Sequence, residues 1–324
     1  MARVLVTGGA GYIGSHCCKA LAKAGFEPIV FDDLSTGHRS AVRWGPLIEG
    51  DIKDNEKLRK TLQEEQPEAV LHFASLALVG ESTRRPELYW STNVGGTLSL
   101  LSAMLEAGVS RIVFSSTCAI YGEPERVPIV EDMPKAPVNP YGATKLACEQ
   151  MMDHFDLAHG IRSARLRYFN AAGANPDGEI GEWHEPETHL IPLVLDAALG
   201  RRPAVAIFGT DFPTPDRTAQ RDYIHVADLA RAHVAALRHL IAGGSSCAIN
   251  LGTGVPASVR DVIRTVESVT GRTVPVKEEG RRAGDPATLI ADPSKAQALL
   301  NWRAEADIET MIADAWEWHR RLNA

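Results

Sequence analysis

The chain has 324 residues, of which 44% are hydrophobic and 23% are charged, as in an ordinary soluble globular protein. Its 34 basic and 41 acidic side chains give a net charge of −7, which excludes general binding to nucleic acid because that requires a basic surface. The apolar runs are too short to cross a membrane, and the N-terminus lacks a signal-peptide pattern. The five cysteines form no CxxC motif. We therefore expect a cytoplasmic protein with reduced thiols, no membrane partner and no metal site.

Short apolar runs alternate with amphipathic segments through the first half of the chain. The runs predict strands at residues 3–7, 28–31, 69–73, 111–115 and 163–168. The amphipathic segments predict helices at residues 12–24, 55–66, 86–108 and 140–160. Because strands and helices alternate and the strands are apolar throughout, we predict an α/β fold with a Rossmann-like, doubly wound parallel sheet.

The second half of the chain has a different pattern. A long polar loop at residues 170–189 precedes a predicted helix (190–199), a strand (205–208) and a second polar loop (209–221). A loop as long as the first is typical of a functional segment. We predict a Rossmann domain of residues 1–170, to which about 222–250 return. A smaller C-terminal substrate-binding α/β region comprises 171–221 and 251–324.

Glycines at positions 8, 11 and 14 lie between the first predicted strand and the first predicted helix. Gly8 permits a tight turn, Gly11 lets the backbone approach a pyrophosphate, and Gly14 allows close packing of helix on strand. The N–H groups at the start of the helix favour phosphate there. Asp32 ends the second strand, where a carboxylate accepts hydrogen bonds from an adenosine ribose. The pattern predicts a dinucleotide site that favours NAD, although Arg39 nearby leaves NADP open.

A tyrosine and a lysine occur one helical turn apart in the segment Tyr141-Gly142-Ala143-Thr144-Lys145. Pro140 marks a helix start, so both side chains lie on one face. A nearby ammonium group and a positively charged nicotinamide would lower the pKa of the phenol and make it a base. Thr117, at the end of the fifth strand, can hold the reacting hydroxyl. Taken alone, such a pair also fits an exposed tyrosine and a solvated lysine.

These motifs together resemble the extended short-chain dehydrogenase/reductase family, and within it most closely the UDP-glucose 4-epimerases. The resemblance runs from Arg3 to about Trp318. It is carried by residues 7–16, Gly50-Asp51-Ile52, His72-Phe73-Ala74, Val79-Gly80-Glu81-Ser82, Tyr141 with Lys145, Arg167-Tyr168-Phe169-Asn170, residues 221–229 and Asn250-Leu251-Gly252.

The resemblance implies an enzyme, a homodimer, that epimerises UDP-galactose to UDP-glucose reversibly at C4, with NAD and through a 4-keto intermediate. It implies that Tyr141 is the base, that Lys145 binds the nicotinamide ribose, and that Thr117 assists. The implied NAD contacts are Gly8, Gly11, Tyr12, Ile13, Gly14, Asp32, Asp33, Asp51, Ile52, Phe73, Ala74, Asn93, Tyr141, Lys145 and Phe169. The implied UDP-sugar contacts are Thr117, Tyr141, Asn170, His189, Leu190, Phe208, Arg221, Arg282 and Leu289.

Four positions limit what the resemblance implies. Ala77 stands where the family often has a lysine on the cofactor phosphates, and His189 replaces a common asparagine. His189 is therefore either a substrate contact or a loop histidine facing solvent, and Asp51 is either an adenine contact or a solvated turn acid. Leu289 is intermediate between the tyrosine and the small residues of family members. It leaves open a preference for a UDP-N-acetylhexosamine or a UDP-pentose.

Two other functions are compatible with the same fold. A sugar-nucleotide 4,6-dehydratase needs an acid–base pair after the threonine, whereas Thr117 is followed by Cys118 and Ala119. A non-catalytic NAD sensor usually lacks the tyrosine–lysine pair that this chain has. The predicted helices at 86–108 and 140–160 either pair across a two-fold axis in a homodimer or only cover the sheet.

Overall fold

The computed structural model describes residues 1–282 and 284–322, so Ala283 and the last two residues of the predicted region 251–324 lie outside it. The strands of the described part are β1 (Arg3–Thr7), β2 (Glu27–Asp32), β3 (Leu47–Glu49), β4 (Ala69–His72), β5 (Arg111–Thr117), β6 (Arg162–Tyr168), β7 (Asn170–Ala172), β8 (Val205–Phe208), β9 (Gln220–His225), β10 (Cys247–Leu251), β11 (Pro256–Ser258), β12 (Val276–Glu279) and β13 (Thr288–Leu289).

The helices of the same part are α1 (Tyr12–Lys23), α2 (Asn55–Glu65), α3 (Val79–Arg84), α4 (Pro86–Tyr89), α5 (Gly96–Ala107), α6 (Pro140–His159), α7 (Leu190–Ala198), α8 (Val226–Ile241), α9 (Val259–Thr270), α10 (Ser294–Leu300) and α11 (Ile308–Arg321).

Seven parallel strands form the main sheet in the order β10-β6-β5-β4-β1-β2-β3. Strand β1 divides its side chains between two cores, since Val4 and Val6 pack with α1 and α8, while Leu5 packs with α2, α5 and α6. Both faces of the sheet are therefore covered by helices, as its apolar strands require. The predicted α/β, doubly wound fold is confirmed.

A second, smaller group of elements follows the main sheet along the chain. Strands β11, β9 and β13 form a sheet with β7 at its side, and β12 pairs with β8. Helices α7, α9 and α11 share one apolar core with these strands. In contrast, α8 packs on α1, and β10 pairs with β6, so this later segment completes the main sheet.

The predicted helix at residues 86–108 is wrong in one respect, because it is not one regular helix. Helix α4 ends at Tyr89, residues Trp90–Gly95 form a π-helical turn, and α5 begins at Gly96. Single π-helical turns are rare and are frequently found at functional sites. Here the turn buries the side chain of Asn93 between the 76–78 loop and α6.

The loop predicted at residues 170–189 begins with β7 and continues as an ordered segment, residues 173–189, which we call the strap. The Lys19 ammonium on α1 donates to Asn175 Oδ1 at 2.8 Å, and the Trp183 ring stacks on His38 with centroids 3.8 Å apart. The strap therefore packs over α1 and the segment that follows β2.

Two general features agree with the composition. All five cysteines are free and buried. Among the described residues, no helix has the length and apolar character needed to cross a membrane.

Candidate active site

The predicted site residues converge on the carboxyl-terminal edge of the main sheet. Gly8 follows β1, Phe73 follows β4, Thr117 ends β5 and Phe169 follows β6. Since the strands are parallel, their carboxyl ends share one edge, where ligands bind in open α/β sheets.

The glycine loop has the geometry that its spacing predicts. Gly8 has φ +74°, and a Cβ there would lie 2.5 Å from the Ala74 nitrogen. A Cβ on Gly14 would lie 2.2 Å from the Gly8 carbonyl oxygen. Helix α1 begins at Tyr12 with Gly11 as its N-cap, and no side chain caps its first N–H groups. Those groups are available to an anion.

Asp32 is tied to this loop. Its Oδ2 accepts a hydrogen bond from the Ala10 N–H at 3.0 Å, and its Oδ1 accepts one from the Leu34 N–H at 2.8 Å. Burial raises the pKa of the Asp32 carboxyl, and these backbone hydrogen bonds oppose the rise. The carboxylate thus joins the end of β2 to the glycine loop.

The neighbouring acids are less enclosed. Asp33 is exposed and accepts hydrogen bonds from Ser35. Asp51 is partly exposed, with a carboxylate oxygen 3.3 Å from Lys53 Nζ, whereas Ile52 beside it is buried. Contacts of Asp33 and Asp51 with an adenosine stay predictions.

A cavity of about 160 Å³ lies directly against the glycine loop. It is lined by Ala10, Gly11 and Tyr12, and on the other side by Ile180 and Trp183 of the strap. The Tyr12 hydroxyl donates to the Gly173 carbonyl at 2.6 Å. The uncapped helix end and the positions that exclude a side chain fit the diphosphate of a dinucleotide.

The remaining predicted cofactor contacts surround this region. Ile13 packs on the core shared by α1 and α8, and Ala74 packs on the opposite core. The Phe73 ring lies 4.8 Å from the His233 ring. Asn93 Oδ1 accepts from the Leu76 N–H at 2.8 Å, and its Nδ2 donates to Leu76 O and Thr144 Oγ1. Asn93 thus fixes the loop after β4.

Helix α6 places Tyr141 and Lys145 one turn apart. Its N-cap, Asn139, accepts from the Gly142 N–H at 2.9 Å. Lys145 is 1% exposed, and its Nζ donates to Ser75 Oγ at 2.9 Å and to the Ser115 carbonyl at 2.8 Å. An ammonium group has three donors, so one remains for a ligand at the sheet edge.

Burial changes the acidity of both groups. It raises the pKa of Tyr141 to about 12, a rise that hydrogen bonding with Thr117 opposes. It lowers the pKa of Lys145 to about 8. The Lys145 Nζ lies over the tyrosine ring, 6.0 Å from its centroid, and donates to Ser75 and Ser115. That Lys145 and a positively charged nicotinamide together lower the pKa of Tyr141 stays a prediction.

Thr117 is buried at the end of β5, next to the phenol. Its Oγ1 accepts from the Ala119 N–H at 3.1 Å and begins the short turn Cys118–Tyr121. The threonine hydroxyl is thereby oriented by backbone on one side and faces Tyr141 on the other.

The predicted substrate residues form a second group on the C-terminal elements. Arg282 stacks on Phe208, with the guanidinium carbon 3.8 Å from the ring centroid. Arg221 on β9 lies opposite Leu289 on β13. The Arg221 Nη1 donates to the Pro286 carbonyl at 2.9 Å, and its guanidinium pairs with Asp285.

An apolar cluster joins the predicted substrate residues to the carboxyl-terminal edge of the main sheet. Leu289 is buried together with Phe169 and Cys118, and Asn170 begins β7 directly after Phe169. The predicted cofactor contact Phe169 and the predicted substrate contact Leu289 therefore belong to one apolar cluster.

His189 and Leu190 lie at the start of α7. His189 is the N-cap, and Leu190 is the first residue of the helix. The His189 Nδ1 lies 2.7 Å from Glu182 Oε1 and 3.1 Å from Glu187 Oε1. The ring thus contacts two carboxylates of the strap, an arrangement that neither sequence-based interpretation anticipates.

Sequence reasoning missed a buried ion pair between α6 and β6. The Arg167 guanidinium donates to the Glu149 carboxylate through Nε at 2.9 Å, and both side chains are 3% exposed. Ser116 Oγ donates to the same carboxylate at 2.6 Å. The spacing Tyr141, Lys145, Glu149 repeats every four residues on one helix face, and this repeat could have revealed the third position.

A larger cavity lies elsewhere, at the outer edge of the sheet. It measures about 730 Å³ and is lined by Glu149, Arg165, Cys247 and Lys295 among others. None of the predicted site residues lines it, so its size does not mark the catalytic centre.

Comparison with known proteins decides the family. Residues 4–252 match the model of the NAD dependent epimerase/dehydratase family. The chain belongs to this family. It is 52% identical over 320 residues to the UDP-glucose 4-epimerase of Rhizobium leguminosarum bv. trifolii, an alignment that covers 99% of this chain and 98% of the relative.

Solved structures of the family agree. UDP-glucose 4-epimerase from Brucella ovis in complex with NAD has a TM-score of 0.96 and 51% identity, with 98% of each chain covered. The Bifidobacterium longum enzyme in complex with NAD+ and UDP has a TM-score of 0.95 and 36% identity, with 99% of each chain covered. The predictions of an epimerase enzyme and of NAD as its cofactor are confirmed.

Proposed function

We propose that this site catalyses the reversible, NAD-dependent epimerisation of UDP-galactose and UDP-glucose at C4. The observation that carries the proposal is the shared sheet edge, where the uncapped glycine loop lies together with Tyr141 and the buried Lys145. Family membership supports the same reaction.

The glycine loop and Asp32 would hold NAD, with the diphosphate at the start of α1. Further support for the cofactor comes from the 4–252 match and from the NAD complex of the Brucella ovis relative. NAD⁺ held there would supply the hydride acceptor for the sugar C4 and, after reduction, the hydride donor to the opposite face. The remaining donor of Lys145 would bind the nicotinamide ribose.

Tyr141 moves the proton in this scheme. Its Oη, as phenolate, takes the proton of the sugar 4-hydroxyl, and Thr117 holds that hydroxyl and shares the proton. Because burial raises the pKa of Tyr141 to about 12, the phenolate requires an additional positive charge in the site. A nicotinamide ring held in this site would supply that positive charge.

The nucleotide end of the substrate would be anchored by Asn170, Leu190, Phe208, Arg221 and Arg282. A guanidinium fork is the natural partner of a diphosphate. Arg221 pairs with Asp285 in this structure, so a bound diphosphate would compete with that carboxylate. Anchoring at the nucleotide leaves the 4-keto sugar free to turn over.

The test is the variant Tyr141→Phe, assayed for conversion of UDP-galactose to UDP-glucose without NADH accumulation. We expect a loss of at least about 100-fold in kcat, because the proton acceptor is gone, with binding of UDP retained. Tyr223→Phe on β9 is the matched control and should retain activity. Near-normal turnover by Tyr141→Phe would contradict the proposal.

Leu289 is the predicted substrate contact at which family members differ. Its side chain is 9% exposed and packs in the cluster of Phe169 and Cys118, so it adds bulk at the boundary of the two ligand sites. We propose a UDP-hexose as the main substrate. Side-by-side assays of UDP-galactose, UDP-glucose, UDP-N-acetylhexosamine and a UDP-pentose test this. A higher kcat/KM for either of the last two would reverse the assignment.

We further propose a homodimer. The helical segment 86–107 exposes Trp90, Leu98 and Leu105 at 46%, 47% and 41%, and α6 exposes Leu157 at 89%. Large apolar side chains exposed along two adjacent helices favour a partner surface. The five free, buried cysteines support a cytoplasmic location.

The domain division predicted from the sequence also stays a proposal. The pairing of β10 with β6 supports assigning about 222–250 to the NAD-binding domain of residues 1–170. The separate core of α7, α9 and α11 supports a UDP-sugar region of 171–221 and 251–324.

A further inference from the structure

The strap brings two histidines and two glutamates to one point. Glu182, His184, Glu187 and His189 each offer one ligand atom, and these atoms lie within 4.8 Å of one another. We propose that this cluster, the strap cluster, is a binding site for one divalent transition-metal ion, with Zn²⁺ as the best fit.

The four ligand atoms of the strap cluster lie within 4.8 Å of one another, close to the spacing of ligands around one ion. The His189 Nδ1 lies 2.7 Å from Glu182 Oε1 and 3.1 Å from Glu187 Oε1. The His184 Nδ1 lies 3.4 Å from Glu182 Oε1 and 3.6 Å from Glu187 Oε2. A tetrahedral ion with bonds of about 2.0–2.2 Å places its ligand atoms about 3.3–3.6 Å apart. The two His184 distances match this spacing, whereas the His189 Nδ1 must move about 0.6 Å away from Glu182 Oε1 for one ion to be held.

The His184 ring gives a second, independent indication. Its Nδ1 is buried and makes no hydrogen bond to any described residue, although it faces two carboxylate oxygens. A buried nitrogen directed at carboxylates without hydrogen-bond geometry is costly unless a cation or proton lies between them. Nitrogen and oxygen donors together favour Zn²⁺ over Mg²⁺ or Ca²⁺, which prefer oxygen alone.

Charge and surrounding contacts suit a divalent ion. Two carboxylates with two neutral imidazoles carry two negative charges, which one divalent ion neutralises. The Glu187 Oε1 accepts from the backbone N–H groups of Thr188 at 2.6 Å and His189 at 2.8 Å, and the Glu182 carbonyl accepts from Trp318 Nε1 at 2.8 Å. Such outer contacts hold metal ligands in place.

The position of the strap cluster indicates what the ion does. It joins the strap to the N-cap of α7, and the His184 ring lies 6.3 Å from the ring of Tyr12 at the start of α1. A bound ion would therefore fix the strap over the glycine loop. This consequence rests on the proposed cofactor role of that loop, whereas metal binding itself does not.

The four ligands follow the spacing Glu182-x-His184-x-x-Glu187-x-His189. From the sequence, whose five cysteines form no CxxC motif, we expect no metal site. Only the folded strap, which turns back on itself before α7, brings the four side chains together.

The test measures binding of Zn²⁺ to the chelator-treated, full-length protein, in competition with a chromophoric chelator. We expect one ion per chain for the wild type and at least about tenfold weaker binding for Glu182→Gln and His184→Gln. His154→Gln, an exposed histidine on α6, is the matched control and should bind like the wild type.

Co²⁺ provides a readout that does not depend on the variants, because a tetrahedral site gives it an intense visible absorption. Zn²⁺ should also raise the Tm of the wild type and of His154→Gln, but not that of His184→Gln. Sub-stoichiometric binding, or equal affinity in wild type and His184→Gln, would mean an adventitious ion only and would overturn the proposal. So would binding without the Co²⁺ absorption, whatever the epimerase activity.

Discussion

Burial shifts the pKa values of Tyr141 and Lys145 in opposite directions. It raises the pKa of Tyr141 to about 12 and lowers that of Lys145 to about 8, since each charged form loses its hydration. At the residue scale, burial thus favours the neutral form of each side chain. Lys145 is positioned by Ser75 and Ser115 and not by the tyrosine.

The Glu149–Arg167 pair supports α6 from behind. Removing one charge from a pair that is only 3% exposed leaves the other unpaired, at a cost of about 3–5 kcal/mol. We expect Glu149→Gln to lower the free energy of unfolding of the holoenzyme by that amount in urea denaturation. Glu64→Gln, in the exposed Lys60–Glu64 pair, should change it by less than about 0.5 kcal/mol.

A double variant distinguishes the effect of an unpaired buried charge from the effect of changed side-chain packing. Glu149→Gln combined with Arg167→Met removes both charges and should recover part of the loss. If Glu149→Gln costs no more than Glu64→Gln, the buried pair does not hold the helix.

At the same scale, His72 makes a pH-dependent contribution to the free energy of unfolding. Burial lowers its pKa to about 3, and its ring nitrogens bond Thr7 and Thr97. Between the folded pKa and the usual value near 6.5, the unfolded chain binds a proton that the folded chain does not. The free energy of unfolding therefore decreases as the pH is lowered, by about 2 kcal/mol for this residue between about pH 7.5 and pH 5.

The variant His72→Gln should reduce the loss of unfolding free energy between those two pH values by about 2 kcal/mol. Urea denaturation of the holoenzyme at both pH values measures it. His154→Gln controls for the removal of a histidine at an exposed position. An unchanged pH dependence in His72→Gln would show that this imidazole does not contribute.

At the scale of elements, local irregularities do most to place the site. The π-helical turn Trp90–Gly95 directs Asn93 into the loop after β4, and the glycine loop lets α1 begin directly against the ends of β1 and β4. Side chains at Gly8 and Gly14 would occupy the space in which α1 approaches the ends of these strands.

The variant Gly14→Ala tests the close approach of α1. Its Cβ would lie 2.2 Å from the Gly8 carbonyl oxygen, so the helix must shift. We expect a lower Tm, a destabilisation of about 1–3 kcal/mol, and a reduced amount of NAD in the purified protein. Gly80→Ala on α3, where nothing lies within 4 Å, is the matched control and should be neutral or slightly stabilising. Full NAD content in Gly14→Ala would contradict the tight fit.

At the scale of the whole molecule, topology joins parts that are distant in sequence. Strand β10 extends the main sheet, and the strap packs on α1 although more than a hundred residues separate them. The exposed apolar side chains on α5 and α6 are the basis of the proposed contact with a second copy of the chain.

Light scattering with size-exclusion chromatography tests the homodimer. The wild type should have a mass near twice 35.1 kDa. Leu98→Glu combined with Leu105→Glu should shift the mass towards that of one chain, because charges are costly in an apolar interface. Val276→Glu on β12, also 46% exposed, should remain dimeric. A wild-type mass near 35.1 kDa would refute the dimer.

Much of the fold follows from the sequence alone. The predicted strand at residues 3–7 is the observed β1, and the predicted helix 140–160 differs from α6 by one residue. These elements are set by local apolar periodicity, by Asn139 and Pro140 at one helix start, and by Gly160 at its end, so no distant contact is needed. The glycine loop and the Tyr141–Lys145 spacing are likewise local patterns.

What only the tertiary structure decided depends on contacts between distant segments. No local pattern indicates that Glu149 meets Arg167, that Asn93 bonds Thr144, or that Lys145 donates to Ser75 and Ser115. The same holds for the strap cluster, whose ligands form no familiar spacing. Periodicity determines elements because it acts between near neighbours, whereas burial and charge around a side chain depend on which elements the fold packs against it.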